Sequence, residues 1–197
     1  MTSDKTKIRN AATVIVVRNK HKNPSVLMGQ RGVNAAFMPS KFVFPGGAVD
    51  DQDLSIDIKK SINEVCKNRL LKENENGSWS GLVAAAIREL FEETGLQGTN
   101  PELLMVMGDP KRDPRKHIVS VVYAVSVSDD QHPVAGDDAQ DARFWPLKYV
   151  LSGELELAGD HLQIIKNWFL SPTKKVSINF CLDVLVQVKH LYHYILD

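Results

Sequence analysis

The sequence is short of cysteine, of net charge and of long apolar runs, and each shortage removes a class of protein. Two of its 197 residues are cysteine, Cys66 and Cys181. A single bridge between them is conceivable, but no framework of spacings calls for one, so they read as reduced thiols of a cytoplasmic protein. Lysine plus arginine balances aspartate plus glutamate, 24 against 24. A zero balance argues against a protein that lives on nucleic-acid backbones or anionic membranes, so neither is expected as a partner. It leaves room for a small basic pocket facing a phosphorylated small molecule. The start, MTSDKTKIRN, has no apolar core for a signal peptide, and no run approaches the roughly 18 apolar residues of a membrane span. There is no internal repeat and no low-complexity segment. The length suits one domain over 1–197.

What is present reads as a mixture of strands and helices. Residues 11–18 (AATVIVVR) are apolar and β-branched, as a buried strand requires, and residues 25–31 read as its hairpin partner. Residues 41–44 make a short strand stopped by Pro45, Gly46 and Gly47. Residues 54–75 are compatible with a helix. The next helix is expected over 81–94, with Ser80 as N-cap, Gly95 as the left-handed stop, and Ala84, Ala85, Ile87, Leu90 and Phe91 on its buried side. Strands are expected at 102–108, 117–127 and 142–146, and a short helix at 160–170. Residues 178–196 carry an apolar stripe at helical spacing, including Cys181, Leu185 and Ile195. This order predicts an α+β sandwich rather than a doubly wound sheet.

The chemistry sits in residues 88–96, RELFEETGL. At ~100° per residue, Glu93 lies ~40° from Glu89 and Glu92 ~60° to its other side. Three carboxylates therefore share one helix face. Glu89 and Glu93 form a like-charge i, i+4 pair, which costs a few tenths of a kcal/mol on an exposed helix. A hard divalent cation with oxygen ligands would offset that cost. The bland alternative is a solvated face on which Arg88 pairs with Glu92. Five specified positions in one short window match by chance about once in 10⁶ windows.

RELFEETGL resembles the second half of the Nudix box, and FPGGAVD at 44–50 resembles its first half. The resemblance extends over residues 10–170. It implies a Nudix-type α/β/α sandwich with a mixed β-sheet. It also implies a pyrophosphohydrolase acting on the diphosphate of a nucleoside diphosphate linked to another moiety. In that family Mg²⁺, with Mn²⁺ as a possible substitute, is held by the glutamates matching Glu89, Glu92 and Glu93 and by the carbonyl matching Gly47. Arg88 braces the carboxylates. Here 40 residues separate Gly47 from Arg88, an excess of about 27 over the usual box. We read residues 54–80 as an insertion in the box loop. The position that usually holds a glutamate falls on Asp53, one methylene shorter.

The resemblance places a general base on a loop past the box, with Asp137, Asp138 and Asp141 as candidates and Asp141 preferred. An acidic surface turn is the plainer use of all three. Residues 109–117 (DPKRDPRKH) and the strand after them resemble enzymes that cleave ADP-ribose, whereas residues 27–47 resemble the insertion-bearing coenzyme A branch. Arg31, Arg112 and Arg115 are candidates to grip phosphates. Trp145 and Tyr123 read as core rather than as base-stacking groups, and His117 and His161 as structural. A second class of reading is a Nudix-fold ligand sensor, disfavoured by a segment after the last Nudix-like helix that is short for a winged helix and not basic; a third is a non-catalytic interaction module, disfavoured by the intact glutamates. Residues 172–197 are expected to form a helical extension buried against the domain or against a second copy, so a homodimer is possible.

Overall fold

In the computed structural model, which describes residues 8–19, 23–55, 78–136 and 139–170, the apolar run at 11–18 is broken at Val16. Strand β1 (Arg9–Ile15) belongs to one sheet and β2 (Val17–Arg18) to another. The chain switches sheets there, and the Leu27 amide donates to the Val16 carbonyl at 3.0 Å across the join. β3 (Ser25–Arg31) pairs antiparallel with β2, as the hairpin reading requires, and also with β4 (Phe42–Val43) and β8 (Ala139–Pro146). The other sheet runs β5-β1-β7-β6, where β5 is Gly46–Ala48, β6 Thr99–Met107 and β7 Ile118–Ser126. β1 lies parallel to β7 and antiparallel to β5, so this sheet is mixed.

Both faces of the central strands are buried, which explains why they read as continuous apolar runs rather than alternating ones. Val14, Leu27, Val121 and Tyr123 enter one core together with helix α1 (Ser78–Thr94). Ile15, Val26, Met28 and Val122 enter a second core with α2 (Leu147–Leu151) and α3 (His161–Leu170). Helices therefore cover the strands from both sides, and the expected α/β/α sandwich is observed. Tyr123 is fully buried, and Trp145 stacks on Tyr149 with centroids 5.6 Å apart and meets Phe42 edge-on, so both aromatics serve packing.

Several expectations about α1 change. The helix begins at Ser78, so Ser80 lies inside it and is not its cap. Gly95 does end it, at φ 68°, as a left-handed stop requires. Phe91 is exposed, whereas Leu82, Val83 and Ala86 join Ala84, Ala85 and Leu90 in the core. The buried stripe follows Val83, Ala86, Leu90 and Thr94. Phe91, one residue past Leu90, turns ~100° off it. α3 starts at His161, one residue later than expected. The helical readings for residues 56–75 and 178–196, both cysteines, Asp137 and Asp138 lie outside the described residues. No helix among the described residues is long and apolar enough to cross a membrane.

Candidate active site

The site forms where the turn after β4 meets the C-terminal half of α1. Gly46 and Gly47 permit this contact. A Cβ on Gly46 would lie 2.3 Å from the Ala12 carbonyl oxygen, and one on Gly47 would lie 2.1 Å from Glu89 Oε1. At Gly46 the obstacle is backbone and no side chain fits, whereas at Gly47 a side chain would displace the Glu89 carboxylate. The Gly46 amide donates to Glu93 Oε2 at 3.1 Å. The expected partners Gly47, Glu89 and Glu93 are thus brought together, and the Gly47 backbone lies against the Glu89 carboxylate.

Arg88 organises the remaining carboxylates. Its Nε and Nη2 donate to both oxygens of Asp53, each at 2.9 Å. Its Nη1 donates to Glu89 at 2.9 Å and Glu92 at 2.7 Å, and Nη2 also reaches the Ala48 carbonyl at 3.1 Å. This planar fork holds the three carboxylates beside one another and ties the helix to Ala48 and Asp53. Asp53, the shortened box residue, is completely buried and also accepts the Asp50 amide at 2.9 Å. Burial pushes the Asp53 carboxyl up, but Arg88 and that amide bring it below the usual carboxylate range. Glu89 moves the other way. Burial raises it, the neighbouring Glu92 and Asp50 add to the rise, and Arg88 opposes it only in part. Negative charge is therefore crowded where a cation would relieve it.

Among the described residues no three His, Cys, Asp or Glu side chains form a ready cage. Glu89 and Glu92 turn toward Arg88 and Glu93 toward the Gly46 amide. The donor set nevertheless fits a hard divalent cation: all-oxygen, half-buried, electrostatically strained, and beside a backbone that approaches as closely as glycine allows. Glu92, 52% exposed, would have to swing from Arg88 to join.

Two clefts meet at this point. The smaller, about 390 Å³, is lined by Arg9, Arg31, Arg112, Arg115 and Lys116, against Glu93, Asp113 and Asp160. Small residues also line it, including Ala11 and the buried pair Thr13 and Ser120, whose hydroxyls lie 2.7 Å apart. The larger cleft is lined by residues 29–36, by Gln140 and by the three glutamates. Arg31, Val43 and Glu93 border both.

The three candidate arginines all face the smaller cleft, but each is already engaged. Arg112 grips Asp160 with Nε and Nη2 at 2.7 and 2.8 Å. Arg115 grips Asp113 in the same way and stacks over Phe37 at 3.7 Å, while Arg31 Nε donates to the Phe37 carbonyl. In both Arg112 and Arg115, Nη1 lies outside the fork that binds the carboxylate. Asp141 pairs with Arg143 at 2.8 Å. Its strand neighbour Gln140, which points to the opposite face, is the residue that lines the glutamate cleft. His117 contacts the Gly108 carbonyl, and His161 Nδ1 accepts the Phe44 amide at 2.9 Å. Burial lowers the His161 pKa to about 4, so the ring is neutral at physiological pH. Sequence reasoning did not find Arg9, Thr13 or Ser120, which their positions on β1 and β7 bring to the cleft. Lys116 belongs to the basic loop 111–116 that the sequence marked, and it too lines the cleft.

Residues 79–168 match the family described as NUDIX domain. The ADP-ribose pyrophosphatase of Methanocaldococcus jannaschii is 42% identical over 84 residues, 43% of this chain and 47% of that protein. The ADPR responsive transcriptional repressor NtrR of Acinetobacter baylyi is 27% identical over 122 residues, 58% of this chain and 48% of that protein. The alignments span about half the length of these two relatives. The NUDIX domain of Shewanella oneidensis NrtR, solved with ADP ribose, superposes with a TM-score of 0.57 at 25% identity, covering 82% of this chain and 86% of that one. Residues 79–168 thus match a NUDIX domain, and the fold is the one seen in solved Nudix structures.

Proposed function

We propose that this protein is a divalent-metal-dependent pyrophosphohydrolase acting on a nucleoside diphosphate joined to a second group, with ADP-ribose or a related nucleotide sugar as substrate. The observation that carries the proposal is the meeting of two clefts at Glu93 and Arg31. A diphosphate lying there would leave a separate pocket for the group on each side, which a simple nucleotide would not fill. The relatives associated by name with ADP-ribose support the substrate class.

Glu89, Glu92, Glu93 and the Gly47 carbonyl would hold the cation, Mg²⁺ by its hard-ligand preference. When bound, such a cation neutralises phosphate oxygens and lowers the pKa of a coordinated water. The protein's own share is positional. Arg112 and Arg115, fixed by Asp160 and Asp113, would present Nη1 to phosphate oxygens, and Arg31 would orient the diphosphate between the clefts. Water adds to one phosphorus, the P–O bond to the bridging oxygen breaks, and ADP-ribose gives AMP and ribose 5-phosphate. Asp141 would have to release Arg143 and change faces to take a proton in this site.

A non-catalytic ADP-ribose sensor is the second reading, favoured by the likeness to NtrR. Incubation with ADP-ribose or coenzyme A, in Mg²⁺ or in chelator, followed by mass spectrometry of products, separates the two. Metal-dependent AMP formation is expected. Binding of ADP-ribose without turnover would establish the sensor, and a tenfold higher kcat/KM for coenzyme A would replace the substrate.

A further inference from the structure

We propose that His161 is a positioning residue that fixes the turn at residues 44–47, and so the Gly47 carbonyl, for metal binding by the α1 carboxylates. The inference rests on the metal-dependent reading above. Phe44 is almost fully buried at the end of β4. Its amide donates to the His161 ring rather than to a strand partner, at 2.9 Å. The ring also stacks on the Phe44 side chain, with centroids 5.3 Å apart and planes 19° from parallel. The Pro45–Gly46 peptide group is held at both ends as well: the Pro45 carbonyl accepts the Val14 amide at 2.8 Å, and the Gly46 amide donates to Glu93. His161 thus anchors the entry to the turn, while β1 and the glutamate helix anchor its middle.

The anchor is itself fixed. Phe42 and Leu157 form a bridge, the Ala158 amide donates to the Phe42 carbonyl at 2.9 Å, and the His161 amide donates to Ala158. Asp160, adjacent to His161, is clamped by Arg112. A neutral imidazole supplies an acceptor at Nδ1 and a flat face for the phenyl ring in one side chain. Without the acceptor, the buried Phe44 amide would lack a partner and the turn would gain freedom to shift. Sub-ångström displacement of a carbonyl ligand is enough to weaken a metal site.

Two substitutions separate the acceptor from the packing. His161→Phe keeps the stacking and removes the acceptor, whereas His161→Asn places an amide oxygen near the position of Nδ1. Hydrogen exchange of residues 42–48 in metal-free protein reads the turn, and Mn²⁺ titration followed by electron paramagnetic resonance reads the site. His161→Phe should speed exchange and weaken Mn²⁺ binding by about tenfold or more, as loss of an outer support of a metal site does. His161→Asn should stay within about twofold of the native protein in both measurements. Native behaviour of the Phe variant overturns the proposal, as does an Asn variant no better than the Phe variant. Faster exchange with unchanged Mn²⁺ affinity also overturns it, because the turn would then not govern the metal. Absence of Mn²⁺ binding by the native protein would overturn the metal reading instead, and the exchange comparison would still decide whether His161 holds the turn.

Discussion

Asp53→Asn tests whether the shortened box residue is structural. In the native protein a fully buried carboxylate faces Arg88 through two bonds of 2.9 Å. Removing one partner of a buried ion pair costs roughly 3–5 kcal/mol when the other charge is left uncompensated. Arg88 is not left so, because it is 14% exposed and keeps Glu89, Glu92 and the Ala48 carbonyl. The expected loss is therefore about 2–3 kcal/mol, a large part of a typical stability of roughly 5–15 kcal/mol. Urea denaturation of metal-free protein at pH 7 measures it. The pH dependence supplies a second check. The Asp53 pKa is lowered in the fold, so its contribution is present above the unfolded value of about 3.9 and is lost as pH falls through the folded value. The gap between native protein and variant should close on acidification below about pH 4. A variant within about 0.5 kcal/mol of native at pH 7 would refute the reasoning, as would a gap that stays constant in acid.

Glu89 carries the opposite sign. Its pKa is raised in the fold, so its charged form destabilises the metal-free protein once pH exceeds the folded value. Glu89→Gln should raise the metal-free melting temperature at pH 7 while lowering Mn²⁺ affinity, and a lower melting temperature would contradict this. Glu93→Gln should reduce kcat by about 10²-fold or more in saturating Mg²⁺ without unfolding the protein, measured by AMP release and circular dichroism. Arg112→Ala should raise KM for ADP-ribose by about tenfold or more, since a charge-assisted bond is worth roughly 1.5–3 kcal/mol. Unchanged KM would assign Arg112 wholly to its bond with Asp160.

The part of the site that was legible in the sequence is local. Arg88, Glu89, Glu92 and Glu93 fall on one helix, so a period of 3.6 residues suffices to gather them. Gly46 and Gly47 could be read as breakers, and the structure adds that the Ala12 backbone lies against Gly46 and the Glu89 carboxylate against Gly47. The strands were legible for the same reason, because β-branched runs buried on both faces leave a strong signal. What was not legible depends on registers between distant segments. Thr13 and Ser120 meet because β1 runs parallel to β7 across 107 residues of chain, and His161 reaches Phe44 across 117. The exposure of Phe91 follows from the rotation of α1 against the sheet, and a set of apolar residues near the glutamates could not fix that rotation.

The long connection between Asp53 and Arg88 does not keep its two ends apart. Arg88 bonds Asp53 across 35 residues and the Ala48 carbonyl across 40, although residues 56–77 intervene. Closure entropy grows only with the logarithm of loop length. Lengthening the connection about threefold therefore costs on the order of 1 kcal/mol. The bidentate pair between Arg88 and Asp53 is charge-assisted and buried at one end, and each of its bonds is worth roughly as much as that entropy. The pair joins the two ends of the loop rather than its middle, so it brings the box halves together whatever the length between them. A glutamate at 53 would push its carboxylate one methylene further into a space with no exposed surface, at a cost of about 1–3 kcal/mol for overpacking. The shorter acid is thus matched to the short helical turn Asp51–Ser55 that carries it. The short acid at Asp53 and the bidentate reach of Arg88 are two sides of one fit.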